Sequence, residues 1–168
     1  CRLYRAEVEV YRHLDVNHLG TLLSVNAGAR RRLIITETVF AMDGDLAPLN
    51  EIVAVAKRYN ASIAVDEAHA TGVFGATGAG LVEKYELWDS IDVQIGTLSK
   101  AVGALGGFIA GSQAVIDTGI NSARTFIFTT GLPPMVAAAA QAAIQIIVDE
   151  PTRRTKPVSY THLTLPTK

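Results

Sequence analysis

The sequence predicts an α/β domain built on a mainly parallel sheet, and two observations carry this prediction. Short apolar, β-branched segments alternate with amphipathic segments of helical period along most of the chain. Strands that are separated by helices pair in parallel, because each crossover returns the chain to the same end of the sheet. The chain has 168 residues, of which 49% are hydrophobic and 18% charged, as expected for one globular domain.

Six apolar segments have the length and composition of strands. They comprise residues 6–11, 33–37, 62–66, 91–96, 107–111 and 126–129. The segment 33–37 is a continuous β-branched run, which predicts a strand that is buried on both faces.

Helices are predicted between these strands from caps, prolines and apolar spacing. Asp15 is placed to cap a helix that presents Leu19, Leu22 and Leu23 to the core. Pro48 begins a second helix with an apolar face. Further helices are expected at residues 81–87, 113–123 and 134–149, with a turn at 43–45 and a glycine-rich loop at 72–80.

Charge and composition exclude several function classes. The net charge of −1 gives no basic footprint for nucleic acid. Cys1 is the only cysteine, so no internal disulfide and no cysteine metal cluster can form, and no metal site is predicted. No apolar run reaches the length of a membrane span, and no segment has the pattern of a signal peptide. We therefore expect a cytoplasmic protein without membrane or nucleic-acid partners.

Lys100 lies in a glycine-rich, small-residue turn directly after a predicted strand. A lysine that is removed from water there can form a Schiff base with a carbonyl group. Ligands of open parallel sheets bind at the carboxyl ends of strands. Asp66 ends one predicted strand, Thr97 precedes Lys100 after another, and the pair Thr129 and Thr130 ends a third, so all are expected at one edge.

The run Asp66-Glu67-Ala68-His69 has two simpler interpretations. It matches the metal-binding and hydrolysis motif of DEAH-type helicases, in which Glu67 would position water. That interpretation requires an upstream phosphate-binding loop, and residues 1–65 contain none. Alternatively, Asp66 caps a loop and His69 is an ordinary loop histidine. The second interpretation fits each residue alone but does not explain an acid and a lysine that both follow strands beside glycine loops.

Four blocks, at residues 39–49, 65–72, 96–103 and 126–134, resemble the α-oxoamine synthases in the same order and with similar spacing. The resemblance covers nearly all of residues 1–156. Members of this family are pyridoxal 5'-phosphate (PLP) enzymes of the aspartate-aminotransferase fold. The resemblance therefore implies that residues 1–156 are the central part of a large domain with a mainly parallel sheet and helices on both faces.

The resemblance also implies roles for three residues. Lys100 would hold PLP as a Schiff base and later move the substrate Cα proton. Asp66 would pair with the pyridine nitrogen, and a carboxylate there favours the protonated, electron-withdrawing ring. His69 would contact the phenolic oxygen of the ring.

Phosphate contacts are implied for three threonines. Thr97 would bind the cofactor phosphate through its hydroxyl group. Thr129 and Thr130 would reach the phosphate of the neighbouring subunit, because sites of this family lie at a homodimer interface.

Members of the family join an amino acid to an acyl-CoA or acyl-carrier-protein thioester and release carbon dioxide. The residues at 96–100 and 106–112 resemble the branch that uses L-alanine and a pimeloyl thioester in biotin biosynthesis. A branch that uses glycine with acetyl-CoA or another acyl donor remains an alternative, as does any other α-oxoamine synthase. A catalytically inert subunit that supports a partner is a further alternative.

Two features depart from the family pattern. Ala41 occupies a position that usually holds a serine whose hydroxyl binds the phenolic oxygen, which removes one hydrogen bond worth about 0.5–1.5 kcal/mol. Residues 157–168 resemble a translated sequencing adapter and are expected to be a non-native tail, so His162 is given no role. The coding DNA of this stretch tests that expectation.

Overall fold

The computed structural model describes residues 6–154, and four strands within this range form one sheet. The strands are β1 (Leu33–Glu37), β2 (Ser62–Asp66), β3 (Val93–Thr97) and β4 (Gly107–Gly111), in that spatial order. β1, β2 and β3 pair in parallel, and β4 runs antiparallel to β3. The prediction of an α/β fold with a mainly parallel sheet is confirmed.

Helices connect and flank these strands. They are α1 (Val16–Val25), α2 (Leu49–Tyr59), α3 (Leu81–Lys84), α4 (Gln113–Ser122), α5 (Arg124–Ile127) and α6 (Pro134–Asp149), and a 3-10 turn covers Trp88–Ser90. The Asp15 carboxylate accepts a hydrogen bond from the backbone N–H of His18 at 2.8 Å, which confirms the predicted cap of α1. Within residues 6–154, no helix is both long enough and apolar enough to cross a membrane.

The main core lies on one face of the sheet, under α1 and α2. Ile34 of β1 and Ile63 and Val65 of β2 point to this face and are at most 3% exposed. The helices contribute Leu19, Leu23, Leu49, Ile52, Val53 and Ala56 to the same cluster. The apolar face that was predicted for the second helix is therefore the face of α2 that packs against the sheet.

The opposite face of the sheet is largely uncovered by the described residues. Leu33 and Ile35 of β1 are 56% and 49% exposed, and Ile95 of β3 is 36% exposed. The prediction that strand 33–37 is buried on both faces is wrong for this part of the chain. The reason is that α4 approaches this face only at β4, where a Cβ built on Gly119 would lie 3.3 Å from Ile109 Cδ1.

Two predicted strands do not form. Residues 6–12 form neither a strand nor a helix, and Val8 and Val10 are 55% and 82% exposed. The apolar run at 126–129 falls partly in helix α5, and Phe126 and Phe128 remain exposed. A short apolar run does not distinguish a strand from a helix, and the context of the chain decided against the strand.

Two element boundaries also differ from the prediction. Helix α3 ends at Lys84 rather than at residue 87, and Glu86 adopts a left-handed φ of 55° just beyond it. Strand β3 begins at Val93 rather than at residue 91. The expected non-native tail at 157–168 lies outside the described residues.

Candidate cofactor-binding site

The carboxyl ends of β2 and β3 lie side by side and carry the predicted site residues. Asp66, the last residue of β2, is in register with Ile95 of β3. The parallel pairing places Thr97, the last residue of β3, at the same edge of the sheet. Lys100 follows Thr97 by three residues, in the loop between β3 and β4.

The loop between β3 and β4 holds Lys100 at an exposed position between two buried anchors. Leu98 and Val102 are 9% and 6% exposed and pack against Ala140 of α6. The backbone N–H of Leu98 donates to Gly106 O at 2.9 Å, and that of Gly103 donates to Lys100 O at 2.9 Å. These contacts fix the backbone that carries the lysine.

The side chain of Lys100 is exposed, and its ammonium group forms no hydrogen bond or ion pair with residues 6–154. The expectation of a lysine removed from water is therefore not met by this part of the chain alone. No described segment covers the loop from the solvent side, so desolvation requires a ligand, a further segment or a second subunit.

Asp66 and His69 lie at the start of the loop that follows β2, and both are half-buried. Asp66 Oδ1 accepts a hydrogen bond from the backbone N–H of Ala68 at 2.8 Å, and Oδ2 has no partner within the described residues. The His69 ring makes no hydrogen bond within that range either. An acid oxygen and an imidazole are therefore both free to contact a ligand.

Thr97 has a neighbour that the sequence analysis did not single out. Its Oγ1 lies 2.8 Å from Ser99 Oγ and donates to Gly106 O at 3.2 Å. The backbone N–H of Ser99 in turn donates to Thr97 Oγ1 at 3.2 Å. Two hydroxyl groups and a backbone N–H thus cluster beside Lys100, which suits an anionic group such as phosphate. The sequence offered one signal for this contact, the serine directly before Lys100.

Thr129 and Thr130 follow helix α5 and are exposed, so they do not end a strand of this sheet. The Thr129 hydroxyl accepts a hydrogen bond from the backbone N–H of Gly131 at 3.4 Å. The Leu132 side chain packs against the loop between β3 and β4, which carries Lys100. A Cβ atom added to Gly106 in this loop would lie 3.1 Å from the Leu132 side chain. The prediction that these threonines end a strand of the sheet is therefore wrong.

Glu67, between Asp66 and His69, is 2% exposed and accepts three hydrogen bonds. The donors are the hydroxyl of Thr38 at 2.7 Å and the backbone N–H groups of Leu81 at 3.1 Å and Val82 at 2.8 Å. A carboxylate that is buried and bonded in this way does not face solvent, which argues against the role in positioning water that the helicase interpretation requires.

A second polar cluster lies apart from these strand ends. His13 Nε2 lies 2.9 Å from Asp45 Oδ2 and 3.8 Å from Asp43 Oδ2, and its ring packs edge-on against Phe40 with centroids 4.5 Å apart. These three polar side chains could hold a metal ion. The contact between His13 and Asp45 links residue 13 to the turn at 43–45, and Asp45 Oδ1 is buried without a partner among residues 6–154. The sequence analysis did not foresee this contact.

Comparisons with known proteins identify the family. The family model of aminotransferase class I and II matches residues 1–157. The 8-amino-7-oxononanoate synthase of Anaeromyxobacter sp. (strain K) is 48% identical over 155 residues, which are 92% of this chain and 39% of that protein. The 8-amino-7-oxononanoate synthase 2 of Bacillus subtilis is 48% identical over 98% of this chain and 41% of its own length.

A solved structure agrees with this assignment. The serine palmitoyltransferase of S. paucimobilis, with a bound PLP–myriocin aldimine, has a TM-score of 0.87 and 38% identity, and it covers 92% of this chain and 40% of its own. The chain belongs to the aminotransferase class I and II family. It spans about two fifths of the length of the curated relatives that it matches.

The described residues fit PLP, the cofactor of this family. A primary amine (Lys100), a half-buried carboxylate with one free oxygen (Asp66), a free imidazole (His69) and two clustered hydroxyls (Thr97 and Ser99) follow neighbouring strands. These groups match the carbonyl, pyridine nitrogen, phenolic oxygen and phosphate of PLP in chemical character.

Proposed function

We propose that the protein containing this chain is a PLP-dependent acyltransferase that condenses L-alanine with a pimeloyl thioester in biotin biosynthesis. The observation that carries the proposal is the 48% identity to proteins named 8-amino-7-oxononanoate synthase, over 92% or more of this chain. The thioester is either pimeloyl-CoA or its carrier-protein form. Thiol and carbon dioxide leave, and the product keeps the amino group on the carbon next to the new ketone.

Lys100, Asp66 and His69 carry the chemistry in this proposal. The Lys100 amine would hold the cofactor and, when free, would take the proton from the substrate Cα. Asp66 would hold a proton at the pyridine nitrogen through its free oxygen, and His69 would donate a hydrogen bond to the phenolic oxygen. When bound, PLP supplies an electron sink that stabilises the carbanion at Cα.

The threonines hold phosphate groups. Thr97 acts together with Ser99 within the subunit. Thr129 and Thr130 act across a homodimer interface, which is consistent with their exposure. Ala41 lies in an exposed turn after β1 and supplies no hydroxyl to the cofactor.

We further propose that residues 1–156 are part of the large domain of a longer, cytoplasmic protein and that residues 157–168 are not native. The exposed face of the sheet and the exposed Lys100 support the first part. The isolated chain should be inactive, because it leaves Lys100 in water. Measurable turnover by the chain alone would contradict this proposal.

The test uses the full-length protein. It is incubated with L-alanine or glycine and with pimeloyl-CoA or acetyl-CoA, and the products are identified by mass spectrometry. We expect the alanine and pimeloyl pair to react fastest, and we expect Lys100→Ala to lose both the visible absorbance of lysine-bound PLP and the activity. Preferred use of glycine with acetyl-CoA would instead identify the sister activity. PLP binding without turnover of any pair would identify an inert subunit.

A further inference from the structure

The Glu67 carboxylate is the most connected buried polar group among residues 6–154, and the proposed chemistry does not use it. Its side chain is 2% exposed and forms no ion pair within that range. A buried carboxylate without a cation is costly unless hydrogen bonds compensate for its lost hydration. Three neutral donors provide that compensation: the hydroxyl of Thr38 and two backbone N–H groups at the start of α3.

The local fold is shaped around this carboxylate. Gly80 precedes α3 with a φ of +119°, and a Cβ built there would lie 2.5 Å from Glu67 Oε2. Only a glycine leaves room for the carboxylate to reach the N–H groups of Leu81 and Val82. The end of the glycine-rich loop therefore packs against the Glu67 carboxylate, which accepts hydrogen bonds from the first two residues of α3.

Glu67 also ties down the residues on either side of it. Thr38 donates its backbone N–H to Asp66 O at 2.9 Å, while its hydroxyl is shared between Asp66 O at 3.3 Å and Glu67 Oε2 at 2.7 Å. The backbone N–H of Glu67 donates to Ile95 O at 2.7 Å. The ends of β1, β2 and β3 are thus joined at Asp66 and Glu67.

The turn that carries His69 is held by hydrogen bonds to the backbone carbonyl of Glu67. The backbone N–H groups of Ala70 and Thr71 donate to Glu67 O at 2.9 Å and 2.8 Å, and the Thr71 hydroxyl donates to it at 3.0 Å. His69 sits within this turn. All three bonds end on the main-chain carbonyl of Glu67, so the backbone position of Glu67 sets the position of the turn that carries His69.

We propose that Glu67 is a positioning residue, which acts through its hydrogen bonds to Thr38 and to the start of α3 to hold Asp66 and His69 in their cofactor-facing orientation. This inference rests on the proposed function of Asp66 and His69. Glu67 itself touches neither substrate nor cofactor. The Glu67–Thr38 contact links the carboxylate to the carbonyl of Asp66 and is the step that can be tested separately.

The test compares two carboxylates in the full-length protein. Glu83 provides the control, because it also accepts two backbone N–H groups, from Thr77 and Ala79, both at 2.9 Å, but forms no hydrogen bond with residues 66–69. Glu67→Gln and Glu83→Gln are each measured for melting temperature, for the dissociation constant of PLP, and for the pH midpoint of the visible absorbance of bound PLP.

We expect Glu67→Gln to raise the PLP dissociation constant about tenfold and to displace the absorbance midpoint by about half a pH unit. Glu83→Gln should lower the melting temperature and leave both cofactor readouts unchanged. The positioning role is refuted if Glu67→Gln binds PLP within about twofold of Glu83→Gln and shows the same midpoint.

A second pair of variants tests the positioning role of Glu67 if Glu67→Gln does not fold. Thr38→Val removes the hydroxyl that links Glu67 to Asp66, and Thr38→Ser keeps it. We expect Thr38→Val to shift both cofactor readouts and Thr38→Ser to restore them, whereas equal behaviour of the two variants would overturn the proposal. If the wild-type protein shows no Lys100-dependent PLP absorbance, the proposed function fails and the role of Glu67 fails with it.

Discussion

Glu67 and Gly80 show how single residues determine the geometry of this site. The carboxylate of Glu67 needs the space that a side chain at position 80 would occupy, and Gly80 also has a φ that favours glycine. Lys100, in contrast, is exposed and depends on its loop backbone alone for its position. The residues that hold the site together are therefore more deeply buried than those proposed to perform the chemistry.

Replacement of Gly80 by alanine should strongly destabilise the protein. The variant combines backbone strain at φ +119° with a clash against Glu67, and we expect a loss of about 2–5 kcal/mol in the free energy of unfolding. Gly103→Ala is the control, because its φ is +67° but nothing lies within 4 Å of the added Cβ, and it should cost about 1 kcal/mol. Denaturant titration of both variants checks this, and equal losses would be inconsistent with the clash.

The pKa of Glu83 predicts how its contribution to stability changes with pH. Partial burial raises this pKa, but hydrogen bonds from Ala79 and Thr77 outweigh burial and leave it below its ordinary value of 4.5. The ionised form is therefore favoured by folding. The contribution of Glu83 to the free energy of unfolding is fully present above its pKa in the unfolded chain, near 4.5. This contribution is lost as the pH falls through the lower pKa of Glu83 in the folded protein.

Melting of wild-type protein and Glu83→Gln over a range of pH measures this effect. The difference in melting temperature should be constant above about pH 5.5 and should shrink as the pH falls below about 4.5. Asn50→Ala, on the exposed side of α2, removes no ionisable group, and its difference in melting temperature from the wild type should not depend on pH. A difference that grows towards low pH would contradict the predicted sign.

At the scale of elements, α2 is the helix that anchors the sheet. Its apolar residues face β1 and β2, and a left-handed Asn60, with φ of 48°, ends the helix before β2 begins. The capped start of α1 and the proline before α2 are local signals, which is why the prediction of both helices was confirmed. The run at 126–129 carried no such signal, and its predicted strand was wrong.

Truncation of Ile52 tests the importance of this packing. Ile52 is 1% exposed in the centre of the core, and Ile52→Ala should cost about 2–5 kcal/mol because it leaves a cavity. Asn50→Ala lies on the exposed side of the same helix and should change stability by less than about 0.5 kcal/mol. Denaturant titration compares the two, and similar small effects would mean that α2 is not packed as described.

At the scale of the whole molecule, the described chain has one well-covered sheet face and one open face. We name the second the open face and define it by Leu33, Ile35 and Ile95. Apolar sheet surface of this kind marks an interface or promotes association. Its exposure agrees with a chain that spans about two fifths of its relatives' length.

The isolated chain should therefore self-associate or bind a hydrophobic dye such as ANS. Ile35→Lys places a charge in the open face and should lower both the apparent mass in light scattering and the dye fluorescence. Val25→Lys, on α1 and away from this face, should change neither, since Val25 is already 78% exposed. A monodisperse wild-type chain without dye binding would show that the open face is covered in solution.

The sequence by itself determined the order of β1 to β4, the start of α1 and α2, and the segments that carry Asp66, His69, Thr97 and Lys100, because local caps, glycines and apolar periods encode these features. Only the tertiary structure decided the antiparallel direction of β4, the one-sided burial of β1, the helical state of residues 124–127 and the burial of Glu67. Each of these depends on which segments approach one another in space, and the donors to the Glu67 carboxylate come from residues 38, 81 and 82, which are distant from it in sequence.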